Sequence, residues 1–407
     1  NLGMLCFFKY GNFLLENFVT MVNAVGIDFH PAKPSIILPA GISFYTFTTL
    51  CYTIDMYKRK SEPVKSMLDF SLFVTFFPHL VAGPIVRPPQ LVPQFESPRK
   101  ATQQQLMQGL FLISLGLFMK VVVADTLLAS PSNTVFAFQK SLPALDTWMG
   151  VLAFSGQIFS DFAGYSTCAI GVAMCLGFIL PENFRYPYAA VGFSDFWRRW
   201  HITLSSWLRD YLYIPLGGNR KGEVRTYVNL MITMLLGGLW HGASWTFVVW
   251  GALHGTYLCV ERLLRARFAG NPDQLATEMV IKKGSFVPSA LRNNNLNKFY
   301  LALFTFFLVN VTWVFFRAAD FSTAWRMLSS MFGQAKQGVA LLTTLDVIKV
   351  STVITMMIIF HWIMRNTSVL HVASKVKWWG LAAVWSFLII ALIISQKSGD
   401  SFIYFQF

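Results

Sequence analysis

The chain has 407 residues, of which 55% are hydrophobic, 16% aromatic and only 13% charged, whereas a soluble domain carries about 25% charged residues. That composition excludes a run of soluble domains and defines an integral membrane protein with many spans. The net charge of +14 sits in short loops between apolar runs, the distribution of cytoplasmic membrane loops near anionic lipid headgroups rather than of a nucleic-acid-binding face.

In chain order, apolar segments long enough to span or nearly so fall near 1–25, 36–57, 67–86, 105–129, 147–180, 226–262, 298–316, 347–364 and 378–396. The first is apolar from Leu2 to Phe8 and then meets Lys9-Tyr10. It lacks the basic, apolar and small-residue order of a signal peptide, so the sequence reads as beginning inside a longer protein with helices upstream. The stretch 147–180 is too long for one ordinary span. Gly156, Gly164, Gly171 and Gly177 punctuate it, giving two helices or one broken helix. The stretch 226–262 is also long, and Gly237-Gly238 is the expected break. Basic loops follow at Lys58 to Lys60, Arg87 to Lys100, Arg220 to Arg225, Arg262 to Arg267 and Lys282 to Lys298. They cannot all alternate with outside loops, so some apolar segments are expected to be re-entrant or interfacial. No fixed-period repeat supports a solenoid or an inverted-repeat transporter.

The segment 194–225 differs from the rest. Trp197, Trp200, Leu204, Trp207, Leu208 and Tyr211 recur at helical spacing, with Arg198, Arg199 and Arg209 among them. Ser194 or Asp195 is the expected cap, Pro215 to Gly218 the expected end, and the pattern is that of an amphipathic helix on the cytoplasmic side of the membrane. On it, His201 reads either as a surface histidine near headgroups or as part of an anionic ligand's approach with Arg198 and Arg199, guanidinium being a good partner for phosphate.

His241 lies in Leu239-Trp240-His241-Gly242-Ala243-Ser244-Trp245. An ionisable group at membrane depth is costly and is a functional candidate by default. Imidazole also moves protons near neutral pH, and the small residues beside it let a substrate chain approach. The competing reading is a satisfied buried histidine joining two helices. His254, thirteen residues on, would be about 20 Å away along a straight helix, so it pairs with His241 only if the helix breaks between them. The five cysteines form no CxxC and no Cys/His cluster of metal-ligand spacing, so no metal is expected. GxSxG, HExxH, P-loop and GxGxxG motifs are absent. The aromatic end, Phe402-Ile403-Tyr404-Phe405-Gln406-Phe407, reads first as an interfacial belt, and second as the carrier of a phenol nucleophile.

Together, Leu38 to Tyr45, Phe76 to Ile85, Phe196 to Arg220, Leu239 to Trp245 and the tail at 402–407 resemble the membrane-bound O-acyltransferase family, and within it the bacterial alginate O-acetyltransferase branch. The resemblance implies one all-α polytopic domain over 1–407. Its roughly nine to eleven transmembrane or re-entrant helices would ring a central tunnel, flanked by interfacial amphipathic helices. It implies His241 as the catalytic residue and His201 as a second functional position. Tyr404, in a tail pattern with Phe402 and Phe407, would be a covalent acyl relay. The donor implied is acetyl-CoA or a related cytoplasmic acyl donor, approached by Trp197, Arg198, Arg199 and Trp240. The implied acceptor is an exported polysaccharide such as alginate, reached through a partner of the SGNH-hydrolase type on the far side of a bacterial inner membrane. Two competing classes are a transporter or flippase for an anionic lipid-linked glycan, and a lipid- or teichoic-acid-directed acyltransferase of the same family.

Overall fold

A computed structural model of the protein describes residues 1–39, 41–268, 295–334 and 340–395. Among them every regular element is helical. The elements that position the site are α1 (Gly11–Ala24), α2 (Ile42–Tyr57), α3 (Gln103–Leu117), which continues through a π-helix (Phe118–Leu128) into α4 (Ala129–Ala137), and α5 (Ala144–Cys175). Then come the short α6 (Phe193–Trp197) and α7 (Ile202–Leu208), α8 (Glu223–His241), α9 (Trp245–Phe268), α10 (Asn295–Arg317), α11 (Phe321–Met331), α12 (Thr344–Met364) and α13 (Trp378–Ile394).

Among the described residues four helices are long and apolar enough to cross a membrane: Gln103–Ala137, Ala144–Cys175, Asn295–Arg317 and Thr344–Met364. The chain is a multi-pass membrane protein. Other apolar stretches fall short of that. The stretch 67–86 is interrupted, because Phe76 leaves the helical region (φ −56°, ψ 102°) before the short helix Phe77–Leu80, which holds Pro78 in its first turn, where a proline is tolerated although it breaks a helix interior.

The stretch 147–180 holds one unbroken helix, not two. Its glycines serve contact rather than bending. A Cβ on Gly164 would lie 2.7 Å from the Gly116 carbonyl oxygen, and one on Gly171 would lie 2.6 Å from that of Gly109. α3 and α5 therefore meet backbone to backbone, as small residues allow in membrane helix pairs. Beside this seam the π-helix carries Lys120, whose Nζ lies 2.9 Å from Asp125 and 2.8 Å from Asp161 of α5. The wider turn of a π-helix puts residues five apart on one face, so Lys120 meets both carboxylates at once. Charges at membrane depth are expected to pair in this way.

Two further expectations are corrected. Gly237-Gly238 does not break the long 226–262 stretch. Both lie within α8, and a Cβ on Gly238 would overlap the Phe247 carbonyl oxygen, so Gly238 brings α9 close, while Gly237 faces Leu208 of α7. The break falls at Gly242–Ser244, after His241. The segment 194–225 is not one amphipathic helix either. α6 and α7 are separated by a turn at Arg198–His201, and Trp200, His201, Leu204, Trp207 and Leu208 are buried. The cap of α6 is Gly192, with Glu261 Oε2 accepting from the Ser194 amide at 2.9 Å.

Candidate active site

His241 is the last residue of α8. Thr226, Asn229, Thr233, Gly237 and His241 share the helix's buried face, following its three- and four-residue spacing. The helix stops there because Gly242 turns extended (φ −160°, ψ 151°), and the Phe247 ring occupies the place where its Cβ would stand. Ser244 Oγ then accepts from the Thr246 amide at 3.3 Å and opens α9, as serine commonly does at a helix start.

The carbonyls that α8 leaves without intrahelical donors are met by the first segment of the chain. Lys9 Nζ donates to Trp240 O at 2.6 Å, His241 O at 3.0 Å and Ser43 Oγ at 3.2 Å, while Tyr10 Oη donates to Leu239 O at 2.9 Å. A cation at a helix C-terminus complements both the carbonyls and the helix dipole.

α9 buries Phe247, Trp250, His254, Glu261 and Arg265 along one stripe. With α8 turned back at His241, that stripe completes a ladder of rings. His201 lies 6.1 Å from Trp240, Trp240 5.0 Å from His241, His241 5.0 Å from Trp250, and Trp250 4.6 Å from His254. Phe316 of α10 packs on His241 at 5.2 Å, and Trp197 of α6 on Trp250 at 5.8 Å. Because the helix does break between them, His254 shares Trp250 with His241. Its Nε2 faces Thr312 Oγ1 at 3.0 Å.

His201 caps α7 in the left-handed region (φ 42°, ψ 56°), a conformation that costs a non-glycine residue about 1–3 kcal/mol and collects at functional sites. It is fully buried. Its Nδ1 lies 3.1 Å from Asn183 Oδ1, and Phe162, Phe44 and Phe184 surround it at 4.6, 6.4 and 6.2 Å. Three of the sequence stretches singled out above meet here, Trp240 of Leu239 to Trp245 lying 6.1 Å from the His201 ring. Leu38–Tyr45 contributes Phe44 after a left-handed Gly41 (φ 77°) whose Cβ would strike Leu80 O at 2.8 Å. Phe76–Ile85 contributes the Ile85 amide, which donates to Thr203 Oγ1 at 3.0 Å.

The two arginines differ. Arg199 is engaged by the fold: its Nε bonds Asp195 Oδ1 at 2.9 Å and its Nη1 donates to Arg365 O at 2.8 Å. Arg198 is exposed, its Nε donating to Ser194 O at 3.0 Å. Tyr404 lies outside the described residues. Lys9, Asn183, Trp250 and Phe316 complete the neighbourhood, and sequence reasoning alone does not single them out. Lys9 does carry a signal, a single cation in an apolar run, but Asn183 carries none.

The protein is polytopic and helical, and its buried His241 ends α8 among aromatic rings. The membrane-bound O-acyltransferase family model matches residues 57–283, and the chain belongs to that family. It is 42% identical over 332 residues to the probable alginate O-acetylase of Azotobacter vinelandii, covering 82% of this chain and 61% of the relative. It is 34% identical to the peptidoglycan O-acetyltransferase of Helicobacter pylori, over 100% of this chain and 81% of the relative. It is 28% identical to the teichoic acid D-alanyltransferase of Streptococcus thermophilus, over 64% of this chain and 67% of the relative. The chain thus spans 61% of the length of the Azotobacter relative.

Proposed function

We propose that the chain is the catalytic body of an O-acetyltransferase that takes acetyl groups from acetyl-CoA and passes them across a bacterial inner membrane to an exported polysaccharide, alginate being the first candidate. The observation that carries this reading is His241, buried at the end of α8 between Trp240, Trp250 and Phe316, in a chain of this family.

In this mechanism His241 takes the proton of the accepting hydroxyl as its oxygen attacks the thioester carbonyl. The tetrahedral intermediate collapses, the C–S bond breaks, and the leaving thiolate recovers that proton from His241. The indole Nε1 groups of Trp197, Trp240 and Trp250 are buried and have no acceptor among the described residues, so they are suitable donors to the intermediate's oxyanion. Arg198, exposed beside α6, is suited to the phosphates of the donor. In a two-step variant the Tyr404 phenol is the first acceptor, and the phenyl ester then passes acetyl to a partner of the SGNH-hydrolase type or to the sugar.

The test is to incubate membranes holding the full-length protein with labelled acetyl-CoA and follow label into protein and polymer. Label should reach polymer with the natural protein and not with His241→Ala at equal membrane content. Undiminished transfer by His241→Ala overturns the reading. Label on Tyr404, lost in Tyr404→Phe, identifies the relay. Its absence with transfer intact leaves one-step transfer. The relative acting on teichoic acid favours a second acceptor class, at the lower identity of 28%. Supplying alginate, peptidoglycan and teichoic acid as acceptors separates the three.

A further inference from the structure

Asn183 determines which nitrogen of His201 carries the proton. Its Oδ1 receives three contacts: the Thr203 amide at 3.2 Å, Thr203 Oγ1 at 2.9 Å and His201 Nδ1 at 3.1 Å. The amide is an obligatory donor. The Thr203 hydroxyl already accepts from the Ile85 amide at 3.0 Å, which leaves its own proton for Asn183. The atom facing both must therefore be the carboxamide oxygen, and the opposite orientation, an NH2 turned toward a backbone N–H, is excluded. Asn183 Nδ2 meanwhile donates to Ser166 Oγ at 3.1 Å. An oxygen only accepts, so Nδ1 of His201 must be the donor. In the neutral ring Nε2 then bears a lone pair and no proton. That Nε2 is buried and has no hydrogen-bond partner among the described residues, although its ring is held among Phe44, Phe162, Phe184 and Trp240. A buried acceptor left without a donor is expensive.

We propose that Asn183 is a positioning residue that fixes His201 in its Nδ1–H form, so that Nε2 presents an acceptor for a hydroxyl of the acyl-accepting group. This rests on placing His201 in the acyl-transfer site, and it divides the labour there. While neutral, His201 holds a donor but cannot stabilise an oxyanion, a task left to groups that carry protons.

Nitrogen NMR of histidine-labelled protein, with the His201 signals assigned by their loss in His201→Gln, should show the proton on Nδ1 and bare Nε2. Asn183→Leu should lower kcat by about 10²-fold, the scale of misplacing one proton-handling group. Asn183→Asp, which keeps the acceptor, should restore most of that. In the His201→Gln background Asn183→Leu should cost nothing further, since residues acting as a unit are non-additive. A proton on Nε2, or additive losses, overturns the assignment. A raised KM for acetyl-CoA at unchanged kcat in His201→Gln overturns the hydroxyl as the held group and points to an N–H of the donor. Full activity of His201→Gln with the expected proton position overturns instead the placement of His201 in the site.

Discussion

Between α3 and α5 the helices touch backbone to backbone; around His241 they touch ring to ring. At the seam a Cβ on Gly116 would lie 2.5 Å from the Gly164 carbonyl oxygen, and the charges nearby, half-buried Lys120 and Asp125 and buried Asp161, are matched to one another. In the ring ladder indoles and imidazoles pack on one another, and polar atoms such as His201 Nε2 and Trp240 Nε1 have no partner among the described residues. Charges that find their complement inside the chain build a scaffold. Polar groups that do not are directed at something outside it. Changes at the seam should therefore cost stability rather than acyl transfer, and changes in the ladder the reverse.

The largest expected effect tests the ladder. His241→Ala should reduce acetyl transfer by about 10²–10⁴-fold, the usual contribution of a general base, while the detergent-solubilised protein melts within a few degrees of the natural one. A large fall in melting temperature would make His241 scaffold. Next, Gly164→Val should destabilise by about 1–3 kcal/mol through overpacking, read as lower yield of folded protein, with per-molecule activity retained in what folds. A stable but inactive Gly164→Val would blur the division. Asp161→Asn should follow. Lys120 keeps Asp125, so the loss should be one buried charge-assisted bond, about 1–3 kcal/mol, measured as a shift in thermal or denaturant midpoint. The smallest effect sharpens the border between the regions. Lys9→Met keeps the length of the side chain and removes its donors to the α8 terminus, worth about 1 kcal/mol. It should lower kcat several-fold more than it lowers stability, because what it holds is the backbone of Trp240 and His241. Equal kcat with reduced stability would assign Lys9 to the scaffold.

Much of this is legible in the sequence, and the limits are physical. The spans at 105–129, 298–316 and 347–364 follow from length and apolarity alone, and the structure places a long helix on each. His241 stands out because an imidazole among Leu, Gly and Trp must repay the cost of leaving water. Glycine misleads at 147–180 and at Gly237-Gly238, because the same missing Cβ that permits a bend also permits contact, and only the neighbouring helix decides between them. Straight-helix distance separates His254 from His241, yet Gly242, whose Cβ the Phe247 ring forbids, turns the chain and brings Trp250, one helical turn before His254, onto His241. The bond from His201 to Asn183 spans 18 residues that include the helix α6. No periodicity betrays it, and a lone asparagine next to Pro-Glu looks like any polar loop residue.

The Lys9 contact with Trp240 joins residues 231 apart in sequence. At about 5–20 residues per second of synthesis, the lysine leaves the ribosome roughly 10–50 s before the carbonyls it will hold. During that interval the ammonium has no helix terminus to complement, and α8 is not yet in place to end at His241. The site is therefore assembled late, from two distant parts of the chain together. A polypeptide halted before α8 is made carries the scaffold seam but not His241.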